Sequence, residues 1–302
     1  MTKDRGIRIG IDLGGTKMEG VVLSGPKSDP EVLLRQRIPT EVEGGKEHIT
    51  KRLVGFIRSL VEECGLSFPV PVGVGMPGSV TPKGYVKGSN AVCLNGTTFH
   101  RDVAEQLGQP VAFANDANCF ALAEAIMGAG KGHSLVFGVI MGTGVGGGLV
   151  IDGKVREGIQ AIAGEWGHMI LDPHSDRICH CGKAGCVETF LAGTWVENHY
   201  KELTGTPLRF ADIEDRRAEG EEAADVVVKF WLDHYGMAVA NLINLLDPDI
   251  VVLGGGASKS DYLYNEGRKC VEKYLFSDEL LTPIVRHTFG DSAGVFGAAF
   301  LV

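Results

Sequence analysis

The sequence predicts an α/β fold built from two similar halves. Segments that alternate like strands are interleaved with segments of helical periodicity, which is typical of layered α/β proteins. Two strand–turn–strand segments, IRIGIDLGGTKMEGVVLSG and LVFGVIMGTGVGGGLVIDGKV, each contain a glycine-rich turn. The turns lie about 130 residues apart, and such an internal repeat indicates a duplicated fold.

The first half is predicted to contain strands and helices in a regular order. Alternating, β-branched segments indicate strands at 7–13, 18–25 and 31–38. Apolar residues at helical spacing indicate helices at 48–64 and 99–108. The segment PVGVGMPGSV predicts a strand that ends in a Pro-Gly turn, and VAFANDAN predicts a strand that ends in polar residues. The segment NCFALAEAIMGAG then predicts a helix.

The second half repeats the hairpin at 135–155 and continues with helices and two further strands. Helical patterns cover 187–203, 209–246 and 259–275. The segments DIVVLGGG and PIVRHTF predict strands, and AGVFGAAFLV predicts a closing helix. We place the domain boundary near Asn118. The small N-terminal domain then covers 1–117 and is joined by the C-terminal helix at about 291–302, while 118–290 forms a large domain with the cysteine-rich loop.

The composition is that of an ordinary globular chain. Its 302 residues are 44% hydrophobic and 22% charged, which suffices for one large or two medium domains. The net charge of -9 argues against a nucleic-acid surface, and no apolar run approaches the roughly 20 residues of a membrane span. The start, MTKDRGIRIG, lacks the apolar core of a signal peptide. Four of the seven cysteines read as buried or free thiols, which favours a reducing cytoplasm: Cys64, Cys93, Cys119 and Cys270.

The stretch GEWGHMILDPHSDRICHCGKAGCVE, residues 164–188, concentrates side chains that bind metals. Cys179, Cys181 and Cys186 follow the pattern C-x-C-x4-C, and His168 lies upstream. Three thiolates and one imidazole form a tetrahedral donor set that suits zinc. Because this set leaves no position for water, we expect a structural zinc that holds the loop in place. The alternative is a cysteine-rich surface loop without a metal.

Three glycine clusters follow predicted strands, at 14–15, 142–148 and 254–256. Glycine-rich turns let backbone N–H groups approach an anion, so three such turns indicate a nucleoside triphosphate. The DLGGTK turn taken alone is also compatible with a plain hairpin. Asp12 precedes the first turn and either orients Lys17 or a metal-bound water, or caps the turn.

Asp116 lies at the end of a predicted strand, within the sequence Asn115-Asp116-Ala117-Asn118. A carboxylate at this edge of a sheet can act as a general base and accept the proton of a substrate hydroxyl during phosphoryl transfer. The alternative role of Asp116 is to cap the helix that follows. Gly78, in the turn after PVGVGMP, either lies against a ligand or forms a simple turn.

Several motifs, in this order along the chain, resemble one known family. They are IGIDLGGTK, GMPGSV, ANDAN, GTGVGGG, AGEWGH, CHCGKAGCVE and DPDIVVLGGG, followed by the tail GDSAGVFGAA. The sequence is similar to the ROK family of sugar kinases and repressors, within the actin-like ATPase superfamily. The resemblance implies an α/β, duplicated, ribonuclease H-like fold with two domains around a cleft and a zinc-bound loop.

The resemblance also implies roles for individual residues. Residues implied to bind ATP, with its Mg²⁺, are Gly10, Ile11, Asp12, Leu13, Gly14, Gly15, Thr16, Lys17, Gly142, Thr143, Gly144, Val145, Gly146, Gly147, Gly148, Leu149, Gly254, Gly255 and Gly256. Asp116 matches the catalytic base. Residues implied to bind the sugar, beside Gly78 and Asp116, are Asn115, Glu165, His168 and Glu188. The implied zinc ligands are His168, Cys179, Cys181 and Cys186, so His168 would use one ring nitrogen for zinc and the other for sugar.

The resemblance favours a kinase, because the residues before the first strand leave no room for the helix-turn-helix module of the family's repressors. The segments GSVTPKGYVKGSNAVCLNG and DSAGVFGAA are most similar to the fructokinase/mannokinase branch, so we expect an ATP-dependent hexokinase acting on the 6-hydroxyl of fructose. Alternatives are an N-acetylglucosamine kinase or glucokinase of the family, a non-catalytic sugar-responsive regulator, or a polymerising actin-like ATPase. Expected partners are a hexose and ATP, with no nucleic acid or membrane, and the resemblance implies a homodimer.

Overall fold

Two five-stranded sheets dominate the computed structural model, which describes residues 6–302. The strands are β1 Arg8–Leu13, β2 Lys17–Ser24, β3 Glu31–Pro39, β4 Val72–Met76, β5 Ser79–Val80, β6 Val86–Lys87, β7 Ala112–Asn115, β8 Leu135–Met141, β9 Val145–Ile151, β10 Lys154–Val155, β11 Ile250–Gly254 and β12 Ile284–Arg286. The helices are α1 Gly45–Glu63, α2 Phe99–Leu107, α3 Asp116–Ile126, α4 Glu188–Leu191, α5 Gly193–Thr204, α6 Phe210–Ala218, α7 Glu222–Leu246, α8 Glu266–Tyr274 and α9 Ala293–Phe300. None of these helices is long and apolar enough to cross a membrane.

The two sheets have the same strand arrangement. Their orders are β3-β2-β1-β4-β7 and β10-β9-β8-β11-β12. In each sheet the central strand pairs in parallel with the first strand that follows the hairpin region, as β1 does with β4 and β8 with β11. A further parallel strand, β7 or β12, completes the sheet. The repeated order confirms the duplicated α/β fold that the two glycine-turn hairpins predicted.

The chain divides into two compact units. The first contains the residues up to Gly132 together with Gly148–Ala163 and Thr288–Val302, and the second contains His133–Gly147 and Gly164–His287. The first unit therefore extends beyond the boundary that we placed near Asn118. Helix α3 belongs to it because α3 and α9 pack very closely, since a Cβ atom on Gly297 would lie 1.8 Å from the carbonyl oxygen of Cys119.

Three long helical patterns of the sequence are interrupted in the structure. The pattern at 187–203 forms α4 and α5, because Ala192 between them is extended. The pattern at 209–246 forms α6 and α7, which are separated at Gly220, a residue with φ of 91°. The pattern at 259–275 begins with 3-10 turns and becomes α-helical only in α8. Periodicity alone does not reveal such breaks, since the apolar spacing continues across them.

Close backbone approach explains several glycines of the first unit. A Cβ atom on Gly10 of β1 would lie 2.2 Å from the carbonyl oxygen of Val295, and one on Gly73 of β4 would lie 1.9 Å from that of Ala298. Helix α9 can therefore rest directly on the sheet. The core on the sheet includes the fully buried residues Ile9 and Ile11.

Candidate functional site

The candidate residues of the first unit lie where three strands end. Strands β1, β4 and β7 run parallel, with Asp12 opposite Gly75 and Met76 opposite Asn115. Their carboxyl ends therefore share one edge of the sheet, where ligands of open α/β sheets commonly bind. The glycine turn, Gly78 and Asp116 follow these three strands in turn.

The first glycine turn is held by backbone contacts while its tip faces solvent. The N–H of Gly14 donates to the carbonyl oxygen of Lys17 at 3.0 Å. Thr40 donates its hydroxyl to the Gly14 carbonyl at 2.7 Å and its N–H to the Thr16 carbonyl at 3.0 Å. Gly15, Thr16 and Lys17 are exposed. The turn is thus fixed in shape and open to a ligand.

Asp12 is a largely buried carboxyl group beside this turn. Burial, together with the negative charges of Asp116 and Glu19, raises its pKa from 3.8 to about 6. A Cβ atom on Gly294 would lie 2.9 Å from one carboxyl oxygen of Asp12, so the helix that carries Gly294 also covers this group. The carboxyl oxygens of Asp12 and Asp116 are ligands of the kind that a hard cation such as Mg²⁺ prefers.

Asn115 and Asp116 begin α3, and they share one backbone donor. The N–H of Ala117 donates to Oδ1 of Asn115 and to Oδ1 of Asp116, each at 2.8 Å. Asn115 is the N-cap of the helix and also donates from Nδ2 to the carbonyl oxygen of Gly78 at 3.2 Å. Asp116 is exposed. The carboxylate of Asp116 therefore combines a bond at the helix start with access to a ligand at this edge of the sheet.

Gly78 has a structural reason to be glycine. Its φ is 78°, and a Cβ atom there would lie 2.4 Å from the carbonyl oxygen of Lys87. The strand pair β5–β6 can close over this turn only without a side chain.

The four predicted zinc ligands of the second unit come together. One donor atom from each of His168, Cys179, Cys181 and Cys186 lies within 4.8 Å of the others. Nδ1 of His168 lies 3.5 Å from Sγ of Cys179, and the Sγ atoms of Cys181 and Cys186 lie 3.7 Å apart. Zinc bonds of about 2.3 Å to sulfur and about 2.0 Å to nitrogen place tetrahedral donors about 3.8 Å (S–S) and about 3.5 Å (S–N) apart. The residues therefore fit a Cys₃His zinc site.

Glycines allow the cysteine loop to fold back on itself. Isolated bridges pair Ile170 with Cys186 and Ile178 with Ala184. Gly182 and Gly185 have φ values of 86° and 71°. A Cβ atom on Gly185 would lie 1.7 Å from the carbonyl oxygen of Asp172, so this position requires glycine.

Glu188 lies between the cysteine loop and the glycine turn of the second hairpin. Its Oε1 is 2.7 Å from Nδ1 of His180 and 3.5 Å from Sγ of Cys179. Its Oε2 accepts the N–H of Val145 at 3.0 Å. His180 has no role among the residues predicted from the sequence. Its position between two zinc-ligand cysteines was the one available signal.

Gly142 and Gly256, which belong to the other two glycine clusters, lie next to each other within the second unit. A Cβ atom on Gly142 would lie 3.9 Å from the backbone nitrogen of Gly256. The start of α5 also meets the first of these turns, because the N–H of Gly193 donates to the Gly142 carbonyl at 2.8 Å and Thr194 donates to the Thr143 carbonyl at 3.2 Å. Two glycine turns and one helix start thus form a single small region.

The remaining predicted residues have mainly packing contacts. Ile11, Leu13 and Leu149 are buried, so only their backbones could reach a nucleotide. Trp166, next to Glu165, donates to the Gly146 carbonyl at 2.8 Å and packs at Gly147. The predicted residues fall into two groups. The first unit holds Gly10, Ile11, Asp12, Leu13, Gly14, Gly15, Thr16, Lys17, Gly78, Asn115, Asp116, Gly148 and Leu149, and the second unit holds the others.

Comparisons with known proteins agree with these motifs. The ROK family model matches residues 8–302. The chain is 35% identical to an N-acetyl-D-glucosamine kinase of Haemophilus influenzae, with 97% of this chain and 98% of the relative covered. It is also 35% identical to the N-acetylgalactosamine kinase AgaK of a Shewanella species, with 97% and 95% covered.

Solved structures show the same likeness over nearly whole chains. The ROK hexokinase of Thermus thermophilus has a TM-score of 0.88 at 29% identity, covering 98% of this chain and 97% of that one. A ROK glucokinase of Streptomyces griseus, solved with glucose and AMPPNP, has a TM-score of 0.76 at 27% identity, covering 98% and 99%. These likenesses agree with the duplicated, actin-like α/β fold. The chain therefore belongs to the ROK family.

Proposed function

We propose that the protein is an ATP-dependent sugar kinase that phosphorylates the 6-hydroxyl of an N-acetylated amino sugar, with N-acetylglucosamine as the preferred substrate. The observation that carries this proposal is the exposed carboxylate of Asp116 at the carboxyl edge of a sheet. It occurs in a chain whose curated relatives named N-acetyl-D-glucosamine kinase match it over 97% of its length.

The substrate proposal differs from our sequence-based expectation of fructose. The relatives favour the alternative, since they are named for N-acetylglucosamine and N-acetylgalactosamine. The expectation of fructose depended on the segment that contains β5, β6 and the following loop. Sugar selectivity depends on a few pocket contacts, and a short sequence pattern does not expose these contacts.

Asp116 is proposed to accept the proton of the 6-hydroxyl while the oxygen attacks the γ-phosphate. The resemblance assigns the other sugar contacts to Gly78, Asn115, Glu165, His168 and Glu188. In the structure Asn115 already links Gly78 to the start of α3 through its side chain. A sugar hydroxyl would therefore meet a pre-oriented amide rather than a mobile one.

The glycine turns are proposed to bind ATP through backbone N–H groups. The Streptomyces griseus relative was solved with AMPPNP, which supports the use of ATP by this chain. Mg²⁺ supplies charge neutralisation for the phosphates when it is bound. Asp12 would face it directly or through a water molecule. A nearby cation favours the ionised carboxylate, so it would offset the burial that raises the pKa of Asp12.

Zinc is proposed to be structural. The Cys₃His set fills all four tetrahedral positions, so these residues hold the loop rather than activate water. His168 contacts Cys179 through Nδ1, which leaves Nε2 as the nitrogen that could donate to a sugar hydroxyl. We also propose a homodimer, on the family resemblance alone, and a location in the cytoplasm, because the cysteines are free thiols.

A sugar panel tests the proposed function. The kcat/KM for ADP formation would be measured with N-acetylglucosamine, N-acetylgalactosamine, N-acetylmannosamine, glucose and fructose. Glucosamine, which lacks only the acetyl group, is the matched control. We expect N-acetylglucosamine to exceed fructose and glucosamine by at least about tenfold, since lost polar contacts of a built pocket are costly. Higher activity with fructose would contradict the substrate, and no sugar-dependent activity would favour the non-catalytic regulator.

A further inference from the structure

His180 is an exposed histidine with a defined contact. Its side chain is 68% exposed, whereas that of Glu188 is 13% exposed. Nδ1 of His180 lies 2.7 Å from Oε1 of Glu188, a normal distance for a strong hydrogen bond to a carboxylate. His180 is not one of the four Cys₃His donors, although it lies between two of them in the sequence.

The other oxygen of Glu188 reaches a different element. Oε2 accepts the N–H of Val145, the first residue of β9, at 3.0 Å. A Cβ atom on the neighbouring Gly144 would lie 2.8 Å from the same oxygen, so the carboxylate lies directly against the turn. One carboxylate therefore joins the cysteine loop to the glycine turn that precedes β9.

When zinc binds, Cys179 can no longer donate a hydrogen bond to Glu188, so the contact of Glu188 with His180 matters more for holding this carboxylate. Sγ of Cys179 lies 3.5 Å from Oε1 of Glu188, and a thiol could donate a proton to it. A zinc-bound cysteine is a thiolate and has no proton to donate. Among residues 6–302, the structure then leaves His180 as the side-chain donor to Oε1.

We propose that His180 is a positioning residue for Glu188. By donating from Nδ1 to Oε1, it orients the carboxylate so that Oε2 keeps the Val145 N–H. Because the proposed function places sugar at Glu188 and ATP at the glycine turn, the loss of this orientation weakens binding of both substrates. This kinetic consequence rests on the proposed function, whereas the bond to Val145 does not.

Three variants test the proposal. His180→Ala removes the donor, whereas His180→Asn keeps an N–H donor close to the position of Nδ1. The matched control is His174→Ala, an exposed histidine of the same loop whose side chain makes no hydrogen bond to another described residue. The measurements are zinc content, hydrogen exchange at the Val145 amide in the zinc-loaded protein, and KM for N-acetylglucosamine and for ATP.

For His180→Ala we expect exchange at Val145 to rise about tenfold and both KM values to rise about five- to tenfold, the usual effect of one lost charged hydrogen bond. Asn at this position should restore the wild-type values, and His174→Ala should leave them unchanged. One zinc ion per chain should remain in every variant.

Several outcomes would overturn the proposal. These are unchanged exchange at Val145 in His180→Ala, a rise in the sugar KM alone, or an Asn variant that behaves like the Ala variant. Loss of zinc would make His180 a ligand of the Cys₃His metal. A second ion bound by the wild type but not by His180→Ala would instead make His168, His180 and Glu188 a metal site, as their mutual distances within 4.8 Å permit. If the wild type phosphorylates no sugar, the proposed function fails, while zinc content and amide exchange still decide this inference.

Discussion

Asp116 is the residue on which the proposed chemistry depends most. Replacing it by Asn should leave the helix start intact, because Asn115 still accepts the Ala117 N–H at 2.8 Å. We expect kcat to fall by about two to four orders of magnitude, the usual contribution of a general base, with little change in the affinity for sugar. Steady-state kinetics and a direct sugar titration check both parts. A variant that keeps more than about a tenth of the wild-type kcat would exclude Asp116 as the base.

The buried carboxyl group of Asp12 should make the free energy of unfolding depend on pH. Burial raises its pKa from 3.8 to about 6. Between pH 3.8 and about pH 6, Asp12 therefore stays protonated in the folded protein but is ionised in the unfolded chain. The contribution of Asp12 to stability is therefore highest below pH 3.8 and is lost as the pH rises through about 6. Once ionised, the group costs about 3 kcal/mol.

Replacing Asp12 by Asn should remove this cost. The free energy of unfolding of the variant should exceed that of the wild type by about 3 kcal/mol at pH 8 and by much less at pH 4. Denaturant unfolding at the two pH values, without Mg²⁺ or nucleotide, measures this difference. An equal difference at pH 4 and pH 8 would mean that Asp12 does not titrate as its burial suggests.

The cysteine loop is the element that zinc should hold. Removal of one ligand leaves three donors, which bind zinc far less tightly than four. Cys181→Ala should therefore lose the metal, raise the KM for sugar and lower kcat, while ATP binding at the glycine turns should weaken by no more than the roughly five- to tenfold expected for His180→Ala. Cys93→Ala, a change at an exposed cysteine outside the cluster, is the control and should keep its zinc. The measurements are metal analysis and separate titrations with sugar and ATP. Unchanged KM and kcat values in a metal-free Cys181→Ala protein would show that zinc does not shape the sugar site.

The close packing of helix α9 on the first sheet can also be tested by substitution. A Cβ atom on Gly73 would lie 1.9 Å from the Ala298 carbonyl oxygen, so Gly73→Ala should lower the free energy of unfolding by about 1–3 kcal/mol through overpacking. Gly55, on an exposed face of α1, has no atom within 4 Å of such a Cβ, so Gly55→Ala should raise stability by about 0.5–1 kcal/mol. Urea denaturation of both variants compares them. A stable Gly73→Ala protein would show that α9 can move away from the sheet.

For the molecule as a whole, the features that could be predicted from the sequence are those encoded by local residue patterns. Both hairpins and the duplicated sheet order follow from alternating strands around glycine turns, and the four zinc donors follow from ligand type and spacing. The break at Gly220 was missed because a single residue of positive φ ends α6 while the apolar spacing continues.

Long-range contacts explain the other differences from prediction. Helix α3 belongs to the first unit because its Cys119 meets Gly297 of α9, which lies far away in the sequence. The contact between His180 and Glu188 likewise depends on how the cysteine loop folds back. Neither contact leaves a periodic pattern in the sequence, so only the structure reveals it.

The central claim is ATP-dependent phosphorylation of the 6-hydroxyl of N-acetylglucosamine. Phosphorus–proton correlation NMR of the product formed by the zinc-loaded protein tests it most directly, with the Asp116→Asn variant as the control. We predict one phosphomonoester per ADP, coupled to the two protons on C6, and almost no product from the variant within the same time. Phosphate attached at another carbon, or ADP formed together with free inorganic phosphate instead of sugar phosphate, would contradict the account.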